Sequence, residues 1–188
     1  MQNFIKHLKK HISLTDEDVQ VLSGYVRIKT YAKKEFLLKE GQICKANYFV
    51  ESGLLRMFYI NTKGIEQITQ FALENWWLSD YMSFIMQSDA KFYIQAVENA
   101  EVVLVEHHRQ EDLFKKLPQL ERYFRIMTQR AYAASQMRVK YYHDYSKEEN
   151  YRVFVSLFPK FVQRIPQYML ASYLGITPEY LSELRKKV

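Results

Sequence analysis

Hydrophobic and polar positions follow a helical period at the start of the chain. Residues 1–24 place apolar side chains at helical spacing. Thr15 is followed three residues later by Asp18, which resembles a capping box with Asp in place of the usual Glu. This pattern predicts two short helices that end at Gly24.

The period changes to that of strands over residues 25–106. Runs rich in Tyr, Phe, Val and Ile, such as "NYFV" and "LLRMFYI", are separated by turn residues that include Gly41 and Gly53. At least six short strands recur at a spacing of roughly ten residues, which is typical of an antiparallel sandwich or barrel. The exception is "SDYMSFIMQ", residues 79–87, where we expect a short helix between strands.

From about Pro118 the period is helical again. No Gly or Pro interrupts residues 119–145, and a helix of about 26 residues would be about 39 Å long. Such a helix is too long to serve only as one wall of so small a core, so its apolar seam favours pairing with a second copy. Packing on its own β-domain is the compatible alternative. The seam consists of Leu120, Phe124, Met127, Ala131, Ala134 and Tyr141.

The last forty residues contain the turn chemistry of a helix-turn-helix. Ser146-Lys-Glu-Glu149 is a capping box that opens a helix closed by Pro159. In "IPQYMLASYLGITPEYLSELRKK", Gly175 suits the left-handed position between two helices, and the small Ala171 lies four residues before it. Pro166 starts the first helix of this pair and Thr177 caps the second.

The charge distribution indicates that the C-terminal third of the chain faces a polyanionic partner. Residues 1–119 hold 15 Lys+Arg and 15 Asp+Glu, so residues 120–188 hold 12 (27 − 15) against 6 (21 − 15) and carry the whole net charge of +6. A solvated basic face without a partner is the alternative. The second helix would meet base edges with Glu179, Tyr180, Ser182 and Glu183. Phosphate contacts are expected from Arg164, Thr177, Arg185, Lys186 and Lys187.

Several other classes of protein are excluded or disfavoured by the same sequence. The single cysteine, Cys44, excludes an internal disulfide and a cluster that needs several thiolates, and indicates a reducing cytoplasm. No apolar run approaches roughly 18 residues. A cupin-like metalloenzyme would need convergent histidines, yet no His-x-His occurs in the strands, and no nucleophile elbow or phosphate-binding loop is present. We therefore expect no enzyme activity, metal or cofactor.

The order of these parts resembles the Crp/Fnr family of bacterial transcription regulators. Short N-terminal helices precede a Gly-punctuated β-roll, with Gly41 in "LLKEGQ" and Gly53 in "YFVESGLLR", and a long helix leads to the helix-turn-helix. The resemblance covers essentially the whole chain. Because we expect a helix-turn-helix without a full β-hairpin wing, the tail is similar to the Bacteroidetes branch of the family. The predicted class is α+β: an antiparallel β-roll similar to a cyclic-nucleotide-binding jelly roll over residues 1–118, a dimerisation helix over 119–145 and an incompletely winged head over 146–188.

The resemblance implies a homodimer that reads a two-fold-symmetric site in double-stranded DNA, with RNA polymerase as a candidate partner and a small molecule sensed by the β-roll. It places Glu179 at the family's base-reading glutamate, whereas Glu183 stands where cyclic AMP receptors carry arginine. The family's ligand-binding stretches correspond to "LSDY" and "AKF". Asp80 would imitate the ribose-binding glutamate and Lys91 would supply a point charge, without the bidentate fork of arginine. The effector-pocket candidates are Ser79, Asp80, Ala90, Lys91 and Phe92.

Cyclic AMP is therefore disfavoured as the effector, and we expect a different effector or none. Trp76, Trp77 and Phe92 are expected to fill the pocket with apolar bulk. The alternative function is an effector-sensing or protein-interaction module that no longer reads DNA, which Glu183 and the missing wing favour. Salt dependence separates the two functions, because contacts to phosphates weaken steeply as salt rises.

Overall fold

The computed structural model describes residues 1–186 and divides them into two compact units. The first unit comprises residues 1–59 and 70–127, and the second comprises residues 60–69 and 128–186. In chain order the elements are α1 (Gln2–Lys9), α2 (Asp16–Tyr25), β1 (Val26–Tyr31), β2 (Phe36–Leu38), β3 (Ala46–Ser52), β4 (Leu55–Ile60), β5 (Glu66–Ala72), β6 (Trp77–Leu78), α3 (Tyr81–Met86), β7 (Tyr93–Ala96), β8 (Ala100–Glu106), α4 (His107–Lys116), α5 (Gln119–Asp144), α6 (Lys147–Leu157), α7 (Pro159–Arg164), α8 (Gln167–Leu174) and α9 (Pro178–Lys186).

The strands form two four-stranded sheets. One has the order β1-β8-β3-β6 and the other the order β2-β7-β4-β5. The pairs β1–β8, β3–β8, β3–β6, β2–β7 and β4–β7 are all antiparallel. The predicted antiparallel β-roll and the α+β class are confirmed, as is the short helix α3 between β6 and β7.

Two apolar clusters stabilise the first unit. One contains residues of both sheets, such as Tyr48, Leu55 and Ile94, together with Phe84 of α3. The other joins β3 and β8 to α1, α2, α4 and the beginning of α5, and it buries Phe4 and Tyr123 almost completely. Adjacent residues of a strand point to opposite faces, so β3 contributes to both clusters at once.

The capping signals act as predicted, but Gly24 does not end its helix. The Thr15 side chain accepts from the Asp18 N–H and the Asp18 carboxylate accepts from the Thr15 N–H, which completes the box. Helix α2 continues through Gly24 to Tyr25. Contacts with α4 hold this last turn: Arg109 Nη2 donates to the Gly24 carbonyl at 2.6 Å and the Tyr25 hydroxyl donates to Asp112.

Gly53 is required by the geometry of the β-roll. Its φ is +93°, and a Cβ built there would lie 2.6 Å from the Asn99 carbonyl oxygen and 2.8 Å from Ala100. Gly41 also has a positive φ of +80°, but nothing lies within 4 Å of its missing Cβ. The two glycines of the sequence signature are therefore needed for different reasons. Gly53 lets the backbone of Asn99 and Ala100 come close, whereas Gly41 is needed only for its positive φ.

The second unit contains a small helical core. Ser146 and Glu149 cap each other's backbone N–H groups at the start of α6, at 3.2 Å and 2.7 Å, as the sequence predicts. Pro159 ends α6 and also begins the short helix α7, an element absent from the sequence prediction. The most deeply buried side chains of this core lie on α8 and α9: Leu170, Ala171, Leu181 and Leu184.

Candidate nucleic-acid interface and sensor pocket

The turn between α8 and α9 has the conformation that its sequence predicts. Gly175 ends α8 in the left-handed region with φ of 65°, and its N–H bonds to the carbonyls of Ala171 and Ser172. The Thr177 hydroxyl accepts from the Tyr180 N–H at 3.2 Å and caps α9. Ala171 is 1% exposed, so the small side chain lies inside the crossing where the motif needs it.

Helix α9 presents one polar face to solvent. Leu181 and Leu184 face the core, while the four base-reading candidates Glu179, Tyr180, Ser182 and Glu183 are exposed. Of the phosphate candidates, Arg164, Thr177, Arg185 and Lys186 are also exposed, and Lys187 lies outside the described residues. An exposed helix of this kind fits the major groove, which admits one α-helix.

The exposed face of α9 changes sign along its length. Glu179 lies in the first turn, where the helix dipole favours an acid, and Glu183 follows one turn later. Arg185 and Lys186 lie in the last turn. The first turn of α9 therefore carries an acid and its last turn carries two cations.

The predicted seam of α5 divides into two parts. Leu120 is buried, and Phe124 and Met127 pack against the cluster of β3, β8 and the N-terminal helices. Ala131 and Ala134 are exposed, and Tyr141 is half-buried. Further along α5 four large apolar side chains are 44–66% exposed, namely Tyr132, Met137, Val139 and Tyr142; the sequence also indicates Met137 for the apolar face of this helix.

Asp80 dominates the expected sensor pocket, but its carboxylate is already bound by the protein. The residue is 2% exposed. One oxygen, Oδ1, accepts from the Ser83 N–H at 3.1 Å and so caps α3, and the other, Oδ2, accepts from the Lys91 N–H at 2.8 Å. The Ser79 hydroxyl donates to Asn47 Oδ1 at 2.6 Å. Both polar candidates on this side of the pocket are thus satisfied by intramolecular bonds.

The second ligand-binding stretch offers little to an anion. Ala90, the first residue of this stretch, is 1% exposed and has no polar side-chain atom. Lys91 uses its backbone N–H on Asp80, and its side chain is exposed. Phe92 packs against the core between the sheets. These side chains supply apolar surface rather than the charged fork that recognises a cyclic phosphate.

The expectation that Trp76 and Trp77 fill the same pocket is wrong. Trp76 is 41% exposed. Trp77 pairs with Phe49 and packs in the cluster of the N-terminal helices, where its ring Nε1 donates to the Tyr123 hydroxyl at 2.8 Å. The His7 ring completes this chain of bonds, with Nδ1 at 2.7 Å from the same hydroxyl. Only Phe92 of the three aromatic residues packs where we expect it.

Cys44 is a buried thiol near the sensor pocket. It is fully buried, is not part of a disulfide, and its Sγ donates to the Ala46 carbonyl. Burial raises the pKa of this thiol to about 11, so the neutral form persists at neutral pH. Within residues 1–186, no group of three or more His, Cys, Asp or Glu side chains is placed to hold a metal ion.

A helix that crosses a bilayer needs about 20 consecutive, mostly apolar residues. Across the helices that the structure describes, none is long and apolar enough to cross a membrane.

Sequence reasoning missed the contact between β5 and α8. The Ser172 side chain of α8 bonds to the backbone of β5, and Gln67 of β5 bonds back to Ser172. A polar side chain on a helix surface is a common feature, so nothing in the local pattern marks Ser172 as special.

A β-roll of the cyclic-nucleotide-binding type, a long helix and a helix-turn-helix define a class of transcription regulators. Residues 28–117 match the family model of the cyclic nucleotide-binding domain. The transcriptional activator protein Anr of Pseudomonas aeruginosa is 30% identical, over 92% of this chain and 75% of its own. This chain belongs to the Crp/Fnr family.

Solved structures agree on the fold. FixK2 of Bradyrhizobium japonicum has a TM-score of 0.71 at 19% identity, over 86% of this chain and 83% of its own. The c-di-GMP-responsive regulator CLP of Xanthomonas campestris has a TM-score of 0.75 at 12% identity, over 92% of this chain and 91% of its own. At these identities the structures establish a shared fold. Of these relatives, Anr is a transcriptional activator and CLP is a global regulator of gene expression.

Proposed function

We propose that this chain reads double-stranded DNA as a homodimer, with α9 in the major groove of each half-site. The observation that carries the proposal is the polar face of α9, which is exposed over its whole described length while its two leucines are buried. Glu179 would accept from a cytosine N4 amino group, and Tyr180 and Ser182 would contact neighbouring bases or phosphates. Arg164, Thr177, Arg185, Lys186 and Lys187 would hold the phosphates.

The dimer would form through α5. Its exposed apolar residues Tyr132, Met137, Val139 and Tyr142 recur over three helical turns, and exposed apolar side chains in that number favour burial against another protein surface. Tyr142 lies on the same face of α5 as Ala131, Ala134 and Tyr141 and would form the seam with them, whereas Tyr132 and Val139 lie about a third of a turn away. Two-fold symmetry of the dimer then requires a two-fold-symmetric operator, with half-sites one helical turn apart.

The β-roll would respond to a signal other than cyclic AMP. The Asp80 carboxylate is occupied by two backbone N–H groups, and Ala90 supplies no cation. A cyclic nucleotide would have to displace Asp80 and would find no guanidinium for its phosphate. The domain would therefore take an uncharged or apolar effector, or hold the dimer without one.

Selection of sites from a random duplex library tests the proposal. The purified chain, with no ligand added, should enrich a two-fold-symmetric motif, and its affinity should fall steeply with salt. Glu179→Ala should relax one base position in each half-site, a change of about 1–3 kcal/mol in discrimination. Glu17→Ala, which removes an exposed glutamate from α2, is the matched control and should leave the motif unchanged.

A second candidate function is a module that contacts protein instead of DNA. The observation that favours it is Glu183, an exposed acid on the face that would meet the phosphates. Under this alternative the library yields no symmetric motif, and binding to any partner depends only weakly on salt, because apolar contacts release no counterions.

A further inference from the structure

Strand β5 lies at the edge of its sheet, and edge strands leave a row of backbone groups unpaired. On β5 two of these groups are bound by a side chain of α8. The Ser172 hydroxyl accepts from the Ile68 N–H at 3.0 Å and donates to the Glu66 carbonyl at 2.8 Å. One hydroxyl thereby pairs the N–H and the carbonyl that flank Gln67, as a neighbouring parallel strand would.

Gln67 also contacts Ser172, next to the turn of the helix-turn-helix. Its side-chain Nε2 donates to the Ser172 carbonyl, one of the carbonyls at the end of α8 that also accepts from the Gly175 N–H. Carbonyls in the last turn of a helix have no partner within the helix. Gln67 therefore holds the end of α8 at the place where the chain turns into the reading helix α9.

The segment that makes these contacts is ordered by hydrogen bonds of its own turn. Residues 60–69 form the tip of the β4–β5 hairpin, and the Asn61 side chain accepts from the N–H groups of Lys63 and Ile65 at 2.9 Å and 3.1 Å. Gly64 closes the turn with φ of +75°. Thr69, at the far end of the segment, accepts from Arg138 of α5 through its carbonyl. A pre-ordered hairpin costs little further entropy when it holds a helix in place.

We propose that residues 60–69 brace the reading head, and that Ser172 and Gln67 are positioning residues for DNA reading. This inference rests on the function proposed above. The brace does not obstruct DNA, because the outward residues of α9 are exposed while the contact is made. It holds α8, and with it α9, in the orientation that two heads must share to reach both half-sites.

Ser172→Ala removes the hydroxyl and should weaken binding to the selected operator roughly fivefold to tenfold, the scale of one or two net hydrogen bonds. Alanine is the better helix former, so α8 itself should not be weakened. The salt slope of binding should stay unchanged because no phosphate contact is lost. Ser172→Thr keeps the hydroxyl and should restore most of the affinity. Ser156→Ala, at an exposed serine of α6, is the control.

A double-mutant cycle asks whether the two positioning residues act together. Gln67→Ala alone should also weaken operator binding, and the Gln67→Ala/Ser172→Ala protein should lose less than the product of the two single effects. Either of two results would overturn the brace. The double mutant could lose the full product of the two single effects, or Ser172→Ala could bind the operator at least as tightly as the wild type does.

Amide exchange tests the contact independently of DNA. The Ile68 amide should exchange slowly in the wild-type, Ser156→Ala and Ser172→Thr proteins and distinctly faster in Ser172→Ala. Equal exchange in Ser172→Ala and the wild type would refute the contact. If the wild type selects no operator, the proposed DNA reading fails, and the exchange comparison alone then decides whether the brace exists.

Discussion

Asp80 provides the sharpest test of how the sensor domain works. One role for its carboxylate is structural, and we call it a clasp because it joins the backbone N–H groups of Ser83 and Lys91. In that case removing it should destabilise the protein. If it is a ligand-binding acid, its removal should be neutral or stabilising, because binding groups held in place for an absent ligand often reduce stability. The sign of one stability measurement therefore separates the two roles.

The magnitude follows from the two bonds. Asp80→Ala removes the cap of α3, a loss of about 1–2 kcal/mol, and leaves the Ser83 N–H without its acceptor in a buried site. The Lys91 N–H loses a charged acceptor but lies closer to solvent, which adds about 1 kcal/mol. We expect a total of about 2–4 kcal/mol. Asp80→Asn should cost about 1–2 kcal/mol, because its oxygen still caps α3 while its NH₂ group faces another donor.

The assay is urea unfolding at a fixed protein concentration, because the stability of the proposed dimer would depend on concentration. Asp89→Asn removes an exposed carboxylate from the same loop and should stay within about 0.5 kcal/mol of the wild type. A stability of Asp80→Ala equal to or above that of the wild type would refute the clasp. Stabilisation of the wild type by cyclic AMP would contradict the same reasoning from the ligand side.

Four further predictions can be checked with single substitutions, one reagent and urea unfolding at a series of pH values. Gly53→Ala should cost at least about 3 kcal/mol because its Cβ would clash with backbone, whereas Gly41→Ala should cost only about 1–2 kcal/mol for its positive φ; urea midpoints compare them. Cys44 should react with a thiol reagent at pH 8 only as fast as the protein unfolds, since it is buried and its pKa is raised to about 11. The folded thiol also holds its proton more tightly than the unfolded one, so Cys44 should lower stability as the pH rises from about 9 to 11. Glu183→Arg should tighten operator binding and steepen its salt slope by about one unit for each new phosphate contact; an unchanged slope would contradict this reasoning.

The parts of the fold that the sequence predicts are those with strong local signals. Ser146 and Thr177 cap helices through their own side chains, and Gly175 is left-handed because few other residues tolerate that conformation. Gly24 is misleading because the contacts of Arg109 and Tyr25 with neighbouring elements extend α2 past it. Tertiary contacts override the intrinsic tendency of one residue.

The sensor residues are harder to assign because burial depends on which face of a strand they occupy. In β6 the consecutive residues Trp77 and Leu78 pair with Phe49 and Tyr48 and enter different clusters. Both are large and apolar, so a strand of two residues carries no alternation from which to assign the faces. The role of Ser172 cannot be predicted from the sequence for a similar reason, since its partners are backbone groups about a hundred residues away along the chain.

The charges of the head indicate how attraction and selectivity are divided. Over the described residues of α9, the two acids Glu179 and Glu183 balance Arg185 and Lys186. The basic excess of residues 120–188 therefore comes from the helices before α9 and from Lys187. Because its acids offset its two described cations, α9 adds little net charge to the long-range attraction of DNA. Under the proposed function, α9 would discriminate among bases, the preceding helices would supply most of the attraction, and affinity for one half-site alone would be weak. Selective binding would then require two heads held at a fixed spacing, which is the arrangement that the α5 seam and the brace at Ser172 would provide.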